Sequence, residues 1–196
     1  TYTLYDPDGR WLGDFNSAGS PVQMAIWLGD LPVGLLVGAG NQQKLYYIEA
    51  DALGSPRAVI DPQRNVTVWR WDAVGEAFGN HYPSEDPDGD GVVFNLDMRF
   101  PGQQYDSVTG FHYNYFRDYD PGTGRYVQSD PIGLDGGIST YGYANGSPTM
   151  YSDPDGLIVG RIGLQLVTRF VLPRLGMQLG ARAAVRATRA KLARQV

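Results

Sequence analysis

The chain reads as mainly β, built from repeated hairpins, and followed by a basic tail that is helical or extended. Three observations in its 196 residues carry that reading. Glycine (26) and proline (13) supply about a fifth of the chain, a mixture that favours turns and short strands over helices. Apolar and aromatic runs of four to eight residues alternate with Gly, Pro and Asp clusters. Charge breaks abruptly near Leu157: residues 1–157 hold all 21 acidic residues against 8 Lys and Arg, whereas residues 158–196 hold 8 Lys and Arg and no acid. The overall formal charge of −5 is thus the difference between an acidic body and a cationic tail, and such asymmetry marks segments with different partners. Cysteine is absent, which excludes disulfides, thiolate metal sites and a cysteine nucleophile. The start, Thr1-Tyr2-Thr3-Leu4, has neither a basic n-region nor an apolar h-region, as expected of a piece of a longer chain.

In chain order, Tyr5-Asp6-Pro7-Asp8-Gly9-Arg10 is the first turn, and Lys44–Glu49, Arg57–Ile60 and Val66–Trp71 are strands. Asp61-Pro62-Gln63-Arg64-Asn65 joins the last two as a hairpin, because Pro pre-sets φ and Asp accepts local backbone bonds. The first turn repeats loosely at Tyr105-Asp106-Ser107-Val108-Thr109-Gly110 and at Tyr119-Asp120-Pro121-Gly122-Thr123-Gly124-Arg125. A single hairpin unit cannot bury its own apolar face, so the repeats imply stacking into an extended sheet. Asp86, Asp88, Asp90 and Asp97 fit a D-x-D-x-D-G calcium-loop string with an acid at position twelve. No flanking amphipathic helix accompanies it and Pro87 sits at position two, so a solvated acidic loop between strands is the competing reading. No other cofactor is called for. His81 and His112, the only histidines, read as structural, and no phosphate-binding glycine loop is present.

The Tyr-Asp-x-x-Gly-Arg repeats resemble the Rhs (YD-repeat) family. So do Asp51-Ala52-Leu53-Gly54-Ser55-Pro56-Arg57 and the run from Phe100-Pro101-Gly102-Gln103 through Tyr115-Phe116-Arg117-Asp118-Tyr119-Asp120-Pro121 to Ser152-Asp153-Pro154-Asp155-Gly156-Leu157. The resemblance implies the end of a hollow β-shell over residues 1–99, an Rhs-associated core over 100–157 and the start of a C-terminal toxin over 158–196. It implies as partners the rest of the shell, a secretion spike protein and chaperone, an immunity protein and a target-cell inner membrane. Nucleic acid is not expected among them. A secreted effector delivered into target cells is the setting it implies.

The core segment carries two copies of Asp-Pro-x-Gly, at Asp130 and Asp153, 23 residues apart. If the chain between them folds back as a hairpin or meander, the carboxylates can meet. Two carboxylates about 3 Å apart cannot both ionise, which is the acid and base pair of an aspartic protease. The alternative is that each motif is only a type I turn. The resemblance implies self-cleavage between Leu157 and Ile158, with Arg117 as the supporting cation. Arg125 is the second candidate, and which aspartate holds the proton is open.

The tail lacks Asp, Glu, His, Cys, Ser and Tyr, so this segment alone supplies no catalytic set for a nuclease, deaminase or protease. Its pattern is helical: Arg161 and Arg169 share a polar stripe, Pro173 interrupts, and Arg182, Arg186 and Arg189 form a second cationic face. A helix pair at an anionic membrane fits best. A linker, or the start of a toxin whose active part lies beyond Val196, is the alternative, and DNA phosphate binding finds only Phe170 for stacking. The opening Ile-Val-Gly-Arg-Ile-Gly-Leu resembles the membrane-depolarising toxins of pseudomonad type VI secretion Rhs effectors. The whole therefore reads as an aspartic autoprotease that frees a membrane-permeabilising toxin, with an encapsulation module carrying an unrelated nuclease as the competing class.

Overall fold

A computed structural model describes residues 1–7 and 9–160. Seven strands form one antiparallel meander: β1 (Tyr2–Tyr5), β2 (Trp11–Phe15), β3 (Pro21–Leu28), β4 (Leu31–Val37), β5 (Lys44–Ala50), β6 (Pro56–Asp61) and β7 (Val66–Arg70). A second antiparallel sheet holds β8 (Gln104–Tyr105), β9 (His112–Asn114), β10 (Arg117–Asp120) and β11 (Arg125–Tyr126). The three expected strands are β5, β6 and β7, and the Asp61–Asn65 turn joins the last two: Asp61 Oδ1 accepts from the Gln63 and Arg64 amides at 2.9 and 3.2 Å. All three Tyr-Asp repeats close hairpins, β1–β2, β8–β9 and β10–β11. No helix among the described residues is long and apolar enough to cross a membrane.

The period-two alternation of strands sets the core. Trp11, Leu35, Ile48, Val59 and Val68 point to one face of the large sheet and are buried, while Leu12, Leu45 and Tyr47 point to the other and are exposed. Residues 71–103 hold no strand and cross the buried face, contributing Trp71, Leu96, Met98 and Phe100. The tyrosine-rich composition is spent on a run of rings joining the two sheets. Trp71 meets Phe100 at 5.2 Å, Phe100 stacks on Tyr143 at 5.5 Å, and Tyr143 meets Tyr126 edge-on at 5.7 Å. Such pairs add about 0.5–1.5 kcal/mol each beyond burial. The run ends beneath the guanidinium of Arg117, 3.7 Å above the Tyr126 ring.

Candidate active site

Each Asp-Pro-x-Gly is a turn, and the two turns also converge. The Gly133 amide donates to the Asp130 carbonyl at 3.0 Å and the Gly156 amide to the Asp153 carbonyl at 3.3 Å, so the turn reading holds for both. The chain between them folds back without forming a two-stranded hairpin. It packs along β11 through Tyr126 N to Tyr141 O (2.9 Å) and returns Thr140 O to Asp130 N (2.7 Å). This places both carboxyl groups in the interior, with Asp130 7% and Asp153 1% exposed.

Arg117 joins them. Its Nη2 lies 2.9 Å from Asp130 Oδ2 and 3.1 Å from Asp153 Oδ2. Nη1 donates to Thr140 O at 3.1 Å and Nε to Gly156 O, so every arm of the fork is used. Arg125, the second candidate, is exposed and belongs to the β10–β11 hairpin. The meeting of carboxylates anticipated from spacing is therefore mediated by one buried guanidinium nitrogen. The like charge acting on Asp153 is instead that of Asp155. Burial first, then Asp155, pushes the Asp153 carboxyl up to about 6, against the opposing pull of Tyr126, Arg117 and the Leu157 amide. Desolvation also raises the Asp155 carboxyl, which accepts from Leu157 N at 3.2 Å.

The peptide bond between Leu157 and Ile158 lies within this cluster. Asp153 Oδ1 accepts from the Leu157 amide at 2.9 Å and from the Ile158 amide, the nitrogen of that bond, at 3.0 Å. Its carbonyl oxygen lies on the side of Asp130: a Cβ on Gly136 would sit 2.4 Å from Asp130 Oδ2 and 2.7 Å from Leu157 O. Only glycine lets this backbone cover both atoms. Gly102 has the same role beneath the other turn, where a Cβ would fall 1.8 Å from Pro154 O.

Sequence reasoning missed a hydrogen-bonded support behind Asp153. Asn114 Nδ2 donates to the Tyr126 hydroxyl at 2.7 Å and to Asp153 O at 2.8 Å, and the Tyr126 hydroxyl donates to Asp153 Oδ2 at 2.9 Å. Both residues alternate inward on short strands, but nothing in their local sequence distinguishes them from other core positions. Asp155 was legible as the second acid of Asp-Pro-Asp-Gly, although its action on Asp153 was not.

The calcium string is resolved differently. Asp86, Asp88 and Asp90 do gather, with ligand oxygens within 4.8 Å of one another, but Asp97 is not in the group. The cation among them is Arg64, whose Nη1 pairs with Asp88 at 3.0 Å and also with Asp90. Both Asp86 oxygens accept backbone amides, from Asp90 and Gly91 at 3.1 Å each. A guanidinium fixed by the β6–β7 turn thus brings positive charge to the three gathered carboxylates. His112 is a core residue, its Nδ1 2.8 Å from Gln103 Oε1, and burial pushes its pKa down to about 3. Arg161, Arg169, Arg182, Arg186 and Arg189 lie outside the described residues.

No protein-family model matches the chain. Among curated proteins it is similar to toxin protein Tse5 of Pseudomonas aeruginosa, 34% identical over 123 residues that cover 63% of this chain and 9% of that protein. It is 36% identical over 123 residues to the probable deoxyribonuclease RhsA of Dickeya dadantii, covering 60% of this chain and 8% of that protein. The chain is thus similar to Rhs-family toxins. It spans under a tenth of the length of those two relatives. A solved structure of TcdB2-TccC3 aligns with 80% of this chain and 9% of its own at 20% identity, with a TM-score of 0.48.

Proposed function

We propose that residues 1–157 are the end of an Rhs shell that cuts its own chain between Leu157 and Ile158, using Asp130 and Asp153 and freeing a membrane-active segment. The observation that carries the proteolytic reading is the placement of two buried carboxyl groups on opposite ends of one peptide bond, Asp130 beside Leu157 O and Asp153 at 3.0 Å from Ile158 N. Hydrolysis adds water across that bond: the hydroxyl goes to the Leu157 carbonyl carbon, and the nitrogen of Ile158 gains a proton as the C–N bond breaks. Asp153 is within hydrogen-bond reach of the nitrogen that must be protonated, and a carboxyl pushed up to about 6 holds a proton at mildly acid pH. The second carboxyl, Asp130, then draws the proton from the attacking water. Arg117 offsets the charge that builds up between them, in an interior where such stabilisation is strongest. Because the bond is tethered in place, the effective molarity reaches on the order of 10⁵ M, enough for a slow dyad to complete one turnover. Replacing Asp130 with Asn should leave the chain uncut; a fragment beginning at Ile158 from that variant would sink the assignment.

The freed segment carries the eight basic residues and no acid, which supports action at an anionic inner membrane. The rest of the shell, a spike protein and chaperone, and an immunity protein complete the delivery system in this reading. The name of the RhsA relative supports the second reading, an encapsulation module whose cargo is a nuclease with its active part beyond Val196. Ion leakage from anionic liposomes on addition of the freed segment, extended to its natural end, supports the first; DNA cleavage without leakage supports the second.

A further inference from the structure

The residues just past the proposed cut are held by the wall independently of the bond that breaks. Ser152, 2% exposed, makes a two-way backbone bridge with Gly160: Ser152 N donates to Gly160 O at 3.1 Å, and Gly160 N donates to Ser152 O at 2.9 Å. Ile158 N donates to Asp153 Oδ1 at 3.0 Å. Hydrolysis breaks only the C–N bond between Leu157 and Ile158. It leaves the Gly160 bridge intact, turns the Leu157 carbonyl into a carboxylate, and converts the Ile158 amide into an α-ammonium. The contact at Asp153 then changes from a neutral amide on a protonated carboxyl to an ammonium on the carboxylate left once that proton is given up, and a bond with ionised partners is roughly twice as strong as a neutral one. Capture of a chain's amino terminus by a carboxylate with backbone pairing alongside is a general mode of peptide recognition.

We infer that the site is also a binding site for its own product: a peptide beginning Ile-Val-Gly with a free α-ammonium docks on Asp153 and Ser152 and keeps the cut tail on the wall. This rests on the proposed cleavage, and it makes cutting and release two separate events. General attraction between an acidic body and a cationic tail would also retain the tail, but it is screened within about 3 Å at 1 M salt, whereas short buried contacts are not.

The test uses the full chain after self-cleavage, separated by size in 1 M NaCl. The two pieces of the natural sequence should elute together in equal amounts, while Gly160→Pro, which lacks the amide donated to Ser152 O, should elute as two species. In a second arm, the synthetic peptide Ile-Val-Gly-Arg-Ile-Gly is titrated into the cut natural chain, and its N-acetylated form should need about tenfold more to displace the tail. Pieces that part in high salt, or equal competition by the acetylated peptide, would overturn the product site while leaving cleavage standing. A chain that stays intact by mass would overturn the cleavage reading and the product site with it. Should Gly160→Pro fail to cut, the peptide arm decides.

Discussion

Aspartates that open turns in the hairpin repeats and aspartates that open turns at the Leu157 joint begin from the same local chemistry and end in opposite roles. In the large sheet the turn acid is closed by its own neighbourhood. Asp6 takes Arg10, Asp51 takes Arg57 and Asp61 takes Arg64, at 2.7 to 2.9 Å and within six residues. In the small sheet Asp106 and Asp120 take the hydroxyls of Thr109 and Thr123, each at 3.0 Å. At the joint, Asp130 and Asp153 have no such partner; both take Arg117, from 13 and 36 residues away, and that one cation is shared. A turn acid satisfied locally holds a hairpin shut. When its partner is distant and divided with a second acid, the turn becomes part of a site.

This contrast can be broken experimentally, and the largest effect falls where the two joint turns meet. Arg117→Met leaves two buried carboxylates without their cation, a loss of about 3–5 kcal/mol by analogy with other broken buried pairs. Cleavage should vanish, and thermal or urea unfolding should report the stability loss. Gly136→Ala should slow the appearance of the fragment about 100-fold, because a displacement of about 1 Å at reacting groups costs that much. The new methyl would press on the Asp130 carboxyl and Leu157 O, and a thermal melt beside the natural chain separates slowed cutting from lost stability.

Acidity gives a subtler handle. Asp153 holds its proton up to about pH 6, above the 3.8 of a free aspartate. With Asp153 as proton donor, the cleavage rate should be highest below pH 6 and fall as the pH rises through that value. The Tyr126 hydroxyl bond favours the ionised form, so Tyr126→Phe should carry the falling limb to higher pH. A limb that moves down or stays put would remove Asp153 from the donor role. The smallest effect belongs to the repeat turns: Asp51→Asn should cost about 1–2 kcal/mol of stability through its lost charge-assisted bonds. It should leave the cleavage rate little changed, since Asp51 bonds Arg57 and the amides of its own turn and makes no bond to Asp130, Asp153 or Arg117.

Legibility in the sequence followed contact distance along the chain. The repeat hairpins were readable because Tyr5 to Arg10, Asp61 to Asn65 and Tyr119 to Arg125 contain everything that closes them. Convergence of Asp130 with Asp153 was anticipated from a repeated motif, and the choice of Arg117 over Arg125 came from the Rhs resemblance, since residue spacing does not tell a buried arginine from an exposed one. The support by Asn114 and Tyr126 and the fit of Gly136 over the Leu157–Ile158 bond depend on how short strands stack, which no local pattern encodes. The acidic loop shows the same limit. Its string is complete within twelve residues, but its cation is Arg64, set more than twenty residues earlier on another turn.

The central claim is that position at the joint, and not the turn motif itself, makes an aspartate part of the cut. Intact-mass measurement of two matched variants, Asp153→Asn and Asp61→Asn, tests it directly. The account predicts an uncut chain from the first and, from the second, two fragments parted between Leu157 and Ile158. A fragment starting at Ile158 from both variants, or a cut at any other bond, would contradict it.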